Sequence, residues 1–143
     1  MTDFPIIIYH NPECGTSRNT LAMIRAVGYD PQVIEYRRVG WTRDLLRQLL
    51  DAMGATPIDV LRAKGTPALE LGLLEPGRGD EEILAAMIEH PILVNRPIVV
   101  TPLGTKLCRP SEVVLSLLER RPVSFTKEDG EIVRFDRRDD QIA

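Results

Sequence analysis

Cysteine is scarce in this chain, whose 143 residues contain only Cys14 and Cys108. Two cysteines make no disulfide framework of the kind that staples small secreted folds. Histidine is as rare, with only His10 and His90, and the gaps of 3, 75 and 17 residues separating these four side chains fit no zinc-binding spacing. Aromatics amount to 5%, and no apolar run nears the roughly 20 residues needed to cross a bilayer. The opening residues Met1-Thr2-Asp3-Phe4 lack the basic and long apolar stretches of a signal peptide, so the cytoplasm is the expected compartment, with no membrane partner. A net charge of −3 gives no global pull toward nucleic acid. Lysine is nearly missing as well, with 3 residues against 15 Arg. High genomic GC content produces such a skew, but arginine also offers a planar fork suited to oxyanions.

What is present reads as one α/β domain. Pro5 to Tyr9 is a short β-branched run consistent with a buried strand, broken by the Asn11-Pro12 turn signal. From Thr16 to Val27, Leu21, Met23, Ile24 and Val27 recur at helical spacing, with Gly28 as a stop. Gln32 to Tyr36 reads as a second strand, parallel to the first through a right-handed crossover. Thr42 is placed to cap a helix through Met53, Thr56-Pro57 to open a shorter one to about Arg62, Pro67 to Leu73 to form a helical turn, and Asp80 to start a helix ending before Pro91. Pro97 to Thr101 and Thr105 to Cys108 then predict an antiparallel hairpin, and Ser111 predicts the cap of a last helix. The order is β-α-β, a helical insertion at about 42–90, then β-β-α. This is a thioredoxin-like mixed sheet with flanking helices, in a single domain over 1–121. Residues 122–143, with 10 of 22 charged, predict a polar, loosely docked tail.

Cys14 lies between the first strand and the first helix. Free N–H groups and the dipole at a helix start favour an anion there, which lowers a thiol pKa. The alternative is a buried structural cysteine, the usual state of a free thiol; the position after a strand and turn argues for a reactive one. Thr16 and Ser17 offer hydroxyls, and His10 and Arg18 are near in sequence. Ser17 stands where a dithiol oxidoreductase carries its resolving cysteine, and Thr20 where a phosphatase-type loop carries its arginine. A single thiolate that forms an adduct must be released by another thiol. Cys108 is the internal candidate, expected near the site without an essential role.

Three segments together carry a resemblance. They are His10–Leu21 (His-Asn-Pro-Glu-Cys-Gly-Thr-Ser-Arg-Asn-Thr-Leu), His90–Thr105 (His-Pro-Ile-Leu-Val-Asn-Arg-Pro-Ile-Val-Val-Thr-Pro-Leu-Gly-Thr) and Leu107–Val113 (Leu-Cys-Arg-Pro-Ser-Glu-Val). Over about residues 5–120 the chain resembles the glutaredoxin-coupled arsenate reductases. The resemblance implies a thioredoxin-like fold with a helical insertion. It implies reduction of arsenate to arsenite with glutathione as co-substrate, glutaredoxin as partner and no bound cofactor or metal. By position, Cys14 is similar to the family's nucleophile and Arg62, Arg96 and Arg109 to its oxyanion-binding arginines. His10 resembles the residue that tunes the nucleophile, and Ser17 a hydroxyl that hydrogen-bonds the thiolate. Arg96-Pro97 is similar to the cis peptide beside the active cysteine in thioredoxin-like folds.

The sequence departs from that pattern at Glu13, a carboxylate beside the nucleophile expected to face solvent, and around Arg62, where Ala68 replaces an aromatic common in relatives. Two rival functions share the fold. One is an RNA-polymerase-binding regulator, disfavoured by the loss of a Cys-x-x-Cys switch at Ser17. The other is a glutathione-dependent thiol transferase without arsenate activity. His90, before Pro91, reads as a helix cap or packing residue.

Overall fold

Strand β1 (Ile7–His10) is buried along nearly its whole length, as expected of an apolar run lying inside a sheet. Its neighbours are β2 (Gln32–Glu35) on one side and β3 (Ile98–Thr101) on the other, with β4 (Gly104–Leu107) outermost, giving the order β2-β1-β3-β4. The computed structural model describes residues 4–120 and 124–134. β1 and β3 are antiparallel, with Ile8 opposite Val99 and Tyr9 opposite Ile98; β3 and β4 are antiparallel, with Ile98 opposite Leu107 and Thr101 opposite Gly104. Beyond the last ladder pair, Cys108 N–H donates to Pro97 O at 2.9 Å. The peptide bonds Arg96-Pro97 and Arg109-Pro110 are both cis; the first is expected from the sequence, the second is not.

The chain divides into two compact units, one formed by the segments up to Ile34 and from Arg96 onward, the other by Glu35–Asn95. In the first, helix α1 (Gly15–Ala26) buries Met23 and Ile24 in a core shared with Ile6, Ile8, Val99, Cys108, Val114 and Leu117. The helix expected from Ser111 is instead a 3-10 helix over Ser111–Leu117, flanked by Pro110. Ser111 lies inside that helix, where its hydroxyl donates to Glu112 Oε1 at 3.3 Å, and Ser116 Oγ donates back to Val113 O at 2.8 Å.

Part of the expected tail is ordered too. β5 (Ser124–Thr126) and β6 (Ile132–Arg134) form an antiparallel hairpin in which Phe125 and Val133 pair and pack against the same core. Its charges fall at the turn and the alternating positions, so composition alone concealed two inward side chains. Residues 122–123 and 135–143 of the expected tail, and Arg121 before it, lie outside the described residues.

The second unit is helical. A short helix α2 (Tyr36–Val39) occupies what reads as the end of a strand, because Tyr36 turns inward to stack on Trp41 at 5.0 Å and donate to Val94 O. Helix α3 (Arg43–Met53) is capped by Thr42 Oγ1, which accepts from Leu45 N–H, and ends at Gly54 in the left-handed conformation. Helix α4 (Asp80–Glu89) begins with three acids and ends at His90, whose N–H donates to Ala86 O. The helix expected after Thr56 is only a 3-10 turn, Pro57–Val60, closed by a reciprocal Thr56–Asp59 capping box. Leu61 then extends to bridge Val94, which pulls Arg62 out of any helix. Residues 67–73 form hydrogen-bonded turns and no helix: Leu71 N–H reaches Pro67 O, but Gly72 at φ 72° stops propagation.

Ile24, fully buried on α1, sets a stability test. Ile24→Ala is expected to lower the unfolding free energy by about 3 kcal/mol, and Thr42→Ala, which removes only a cap, by about 1 kcal/mol. Urea titration of the two variants checks the contrast.

Candidate active site

The loop between β1 and α1 is built by Asn11. Its side-chain Oδ1 accepts from Glu13 N–H at 2.9 Å, and its carbonyl accepts from Cys14 N–H at 3.0 Å. The resulting turn leaves Cys14 as the N-cap residue of α1, with extended φ and ψ, and Glu13 exposed as expected. Cys14 is 6% exposed, so its sulfur is largely withdrawn from water.

Burial pushes the Cys14 thiol up, but four groups outweigh it and leave the pKa lowered: Ser17 N–H, the Arg96 charge, Arg109 and Thr16 N–H. Neither amide makes a cap hydrogen bond of ordinary geometry, yet both favour the thiolate. Arg109 Nη1 stands 3.7 Å from Cys14 Sγ and donates to Arg96 O at 3.0 Å. Strand register explains this meeting. Arg96 and Arg109 extend the β3–β4 pairing two steps past Ile98 and Leu107, so they emerge opposite each other at one end of the sheet.

His10 and Ser17 are also brought together, both buried, with His10 Nδ1 2.6 Å from Ser17 Oγ. Asn11 N–H donates to the same oxygen at 3.1 Å. The Ser17 hydroxyl is thus engaged by His10 and Asn11 where the resemblance implies a bond to the thiolate; what Ser17 gives Cys14 is its backbone N–H. Arg62 belongs to the Glu35–Asn95 unit. There it is half-buried, its N–H donates to Leu93 O at 2.7 Å, and its carbonyl accepts from Thr66 Oγ1.

Cys108 is fully buried in the core, and burial pushes its pKa up to about 12 despite the nearby Lys106 charge. Its Sγ lies 3.7 Å from Lys106 O. A thiol so placed stays protonated at neutral pH and is a poor nucleophile. Among the described residues, no group of three or more His, Cys, Asp or Glu side chains is placed to hold a metal ion. The first-turn amides expected to favour a thiolate are those of Thr16 and Ser17; the contributor that the sequence reading missed is the Asn11 side chain, for which Asn-Pro was a usable signal.

A depressed cysteine at a helix start, faced by two arginines, is the setting in which comparison with known proteins becomes decisive. The sequence pattern of the ArsC family matches residues 9–117. The chain belongs to the ArsC family. It is 58% identical over 134 residues to the arsenate reductase ArsI1 of Synechocystis, covering 93% of each chain. To an arsenate reductase of Escherichia coli strain K12 it is 54% identical over 129 residues, covering 90% of this chain and 92% of that one. Among solved structures, an arsenate reductase from Vibrio cholerae superposes with a TM-score of 0.77 at 37% identity, covering 82% of this chain and all of that one. The thioredoxin-like fold expected from the element order is therefore the fold of the ArsC chain described above.

The electrostatics give a signed prediction. The pH midpoint for alkylation of Cys14 by iodoacetamide is expected below the roughly 8.5 of an ordinary thiol, while Cys108 stays unmodified in the folded protein. Arg96→Ala and Arg109→Ala each remove a charge that favours the thiolate, so both raise the midpoint. Peptide mass spectrometry across pH reads both cysteines separately.

Proposed function

We propose that this ArsC-family chain is an arsenate reductase with Cys14 as its nucleophile. The observation that carries the reading is the approach of Arg109 to the Cys14 sulfur, 3.7 Å, at a thiol whose pKa is lowered. Its relatives' names agree with it, being arsenate reductases at 54% to 58% identity. Arsenate is a tetrahedral oxyanion at neutral pH, and guanidinium groups bind such oxygens in pairs while neutralising developing charge. Arg96 and Arg109 serve that role beside Cys14, and Arg62 is assigned as a third oxyanion ligand. His10, through its contact with Ser17, tunes the polarity around the thiolate.

The chemistry runs in three displacements. Cys14 thiolate attacks arsenic(V), forming a sulfur–arsenic bond and expelling hydroxide, which leaves as water once protonated. Glutathione thiolate then attacks the Cys14 sulfur; the sulfur–arsenic bonding pair passes to arsenic, giving arsenite, and Cys14 is left in a mixed disulfide. Glutaredoxin thiolate attacks the glutathione sulfur of that disulfide and releases Cys14 as thiolate. Arsenic gains two electrons and two thiol sulfurs lose them in disulfide formation.

An outside reductant is favoured by the chain's own inventory. Ser17 replaces a resolving cysteine three residues from Cys14, and Cys108 is buried with its pKa pushed up to about 12. Glutathione and glutaredoxin are the donors we assign, with no bound cofactor, and the cytoplasm is the assigned compartment. No described helix is long and apolar enough to cross a membrane.

An assay coupling arsenate, glutathione, glutaredoxin, glutathione reductase and NADPH tests the reading. Arsenate-dependent NADPH loss is expected with the wild type and is abolished by Cys14→Ser. Loss of NADPH with a disulfide substrate but none with arsenate, under conditions where a reference arsenate reductase works, would overturn it.

A further inference from the structure

The C-terminal hairpin reaches back to the active-site loop through one side chain. Arg18, on the first turns of α1, directs Nε to both oxygens of Glu128 at 3.2 and 3.0 Å and Nη2 to Oε1 at 2.5 Å. Its remaining nitrogen, Nη1, donates to Pro12 O at 2.8 Å, inside the loop that sets Cys14. Glu128 N–H donates to Asn19 Oδ1 at 3.0 Å, so the hairpin turn is fixed to α1 by backbone as well as by charge. A Cβ added to Gly15, the residue after Cys14, would lie 3.4 Å from Glu128 Oε1.

The hairpin is itself anchored away from the site. Phe125 and Val133 pack on the core, and Lys127, only 10% exposed along its side chain, pairs with Glu112 at 2.9 Å. Glu131 N–H donates to Asp129 Oδ1 and Gly130, at φ 95°, supplies the left-handed turn. A firmly docked turn therefore presents one carboxylate to Arg18.

We propose that Glu128 is a positioning residue for the Cys14 loop, acting through Arg18: it holds the guanidinium in the orientation that fixes the Pro12 carbonyl. The loop then keeps Cys14 facing the Ser17 and Thr16 amides. The inference rests on the reading of Cys14 as the reactive thiol. An exposed ion pair usually contributes little to stability; here the bidentate geometry places a group and adds little to folding. Hydrogen bonding to Glu128 raises the Arg18 pKa, and the Cys14 charge adds to that in smaller part.

The sign of the effect separates positioning from simple charge. A carboxylate acting only as a nearby anion disfavours the thiolate, so deleting it lowers the Cys14 pKa. A brace acts in the opposite direction. Cys14 alkylation is followed against pH by peptide mass spectrometry in the full chain, which needs no arsenate turnover. Glu128→Ala is expected to raise the midpoint by about half a unit, roughly a threefold loss of thiolate below it. In the Arg18→Ala background, Glu128→Ala raises it no further. Arg18→Lys leaves the hairpin sequence intact and keeps the charge, but one ammonium cannot reproduce the fork, so the midpoint rises there too. An unchanged or lowered midpoint in Glu128→Ala, a further rise in the double variant, or wild-type behaviour of Arg18→Lys would each overturn the proposal. If Cys14→Ser kept its arsenate reductase activity, the functional reading would fail while these midpoints still tested the brace.

Discussion

A thiolate held out of water must receive donors in place of the solvent it loses, and the rest of the site follows from that constraint. Cys14 is 6% exposed, and its burial by itself favours the neutral thiol. Two backbone amides and two arginines reverse the balance. The amides come free of side-chain entropy, because the first turn of any helix has N–H groups without intrahelical partners. Only the loop must be shaped to put sulfur before them. Asn11 does this with one side-chain and one backbone hydrogen bond.

The arginines are delivered by the sheet. β3 and β4 end in step, and their register carries Arg96 and Arg109 out of the ladder opposite one another. The hydrogen bond from Arg109 to the Arg96 carbonyl couples their placement. A structural register thereby brings two guanidinium groups to bear on the Cys14 thiol. A slip of one residue in this pairing would reverse the faces of β4 and separate the two charges. The same register buries Cys108 one step away, in the core, where it serves packing and stays protonated.

Local signals were legible wherever a residue type answers a local need. Thr42 and Gly54 bound α3, the β-branched runs became β1 and β3, and the break after Tyr9 placed Cys14 at a helix start. Tertiary contacts decided the rest. Tyr36 belongs to a strand by pattern but turns inward to reach Trp41 and Val94, and Leu61 abandons its helical turn to bridge Val94. Ser111 has the chemistry of a cap, yet it is the first residue of a 3-10 helix flanked by Pro110, and its hydroxyl donates to Glu112 Oε1. In the site, the grouping of Cys14, Arg96 and Arg109 was readable only through the resemblance, since 95 residues separate the first from the last. The Arg18–Glu128 contact, at a separation of 110, left no local trace: Glu128 reads as one more charge in a polar tail.

The central claim is that the Cys14 sulfur itself attacks arsenate. Intact-protein and peptide mass spectrometry after incubation with arsenate and glutathione, with glutaredoxin withheld, tests it most directly. The account predicts a glutathione mixed disulfide that accumulates on Cys14 only when arsenate is present. A glutathione adduct on Cys14 that forms equally without arsenate, or an arsenate-dependent adduct on Cys108 alone, would contradict it.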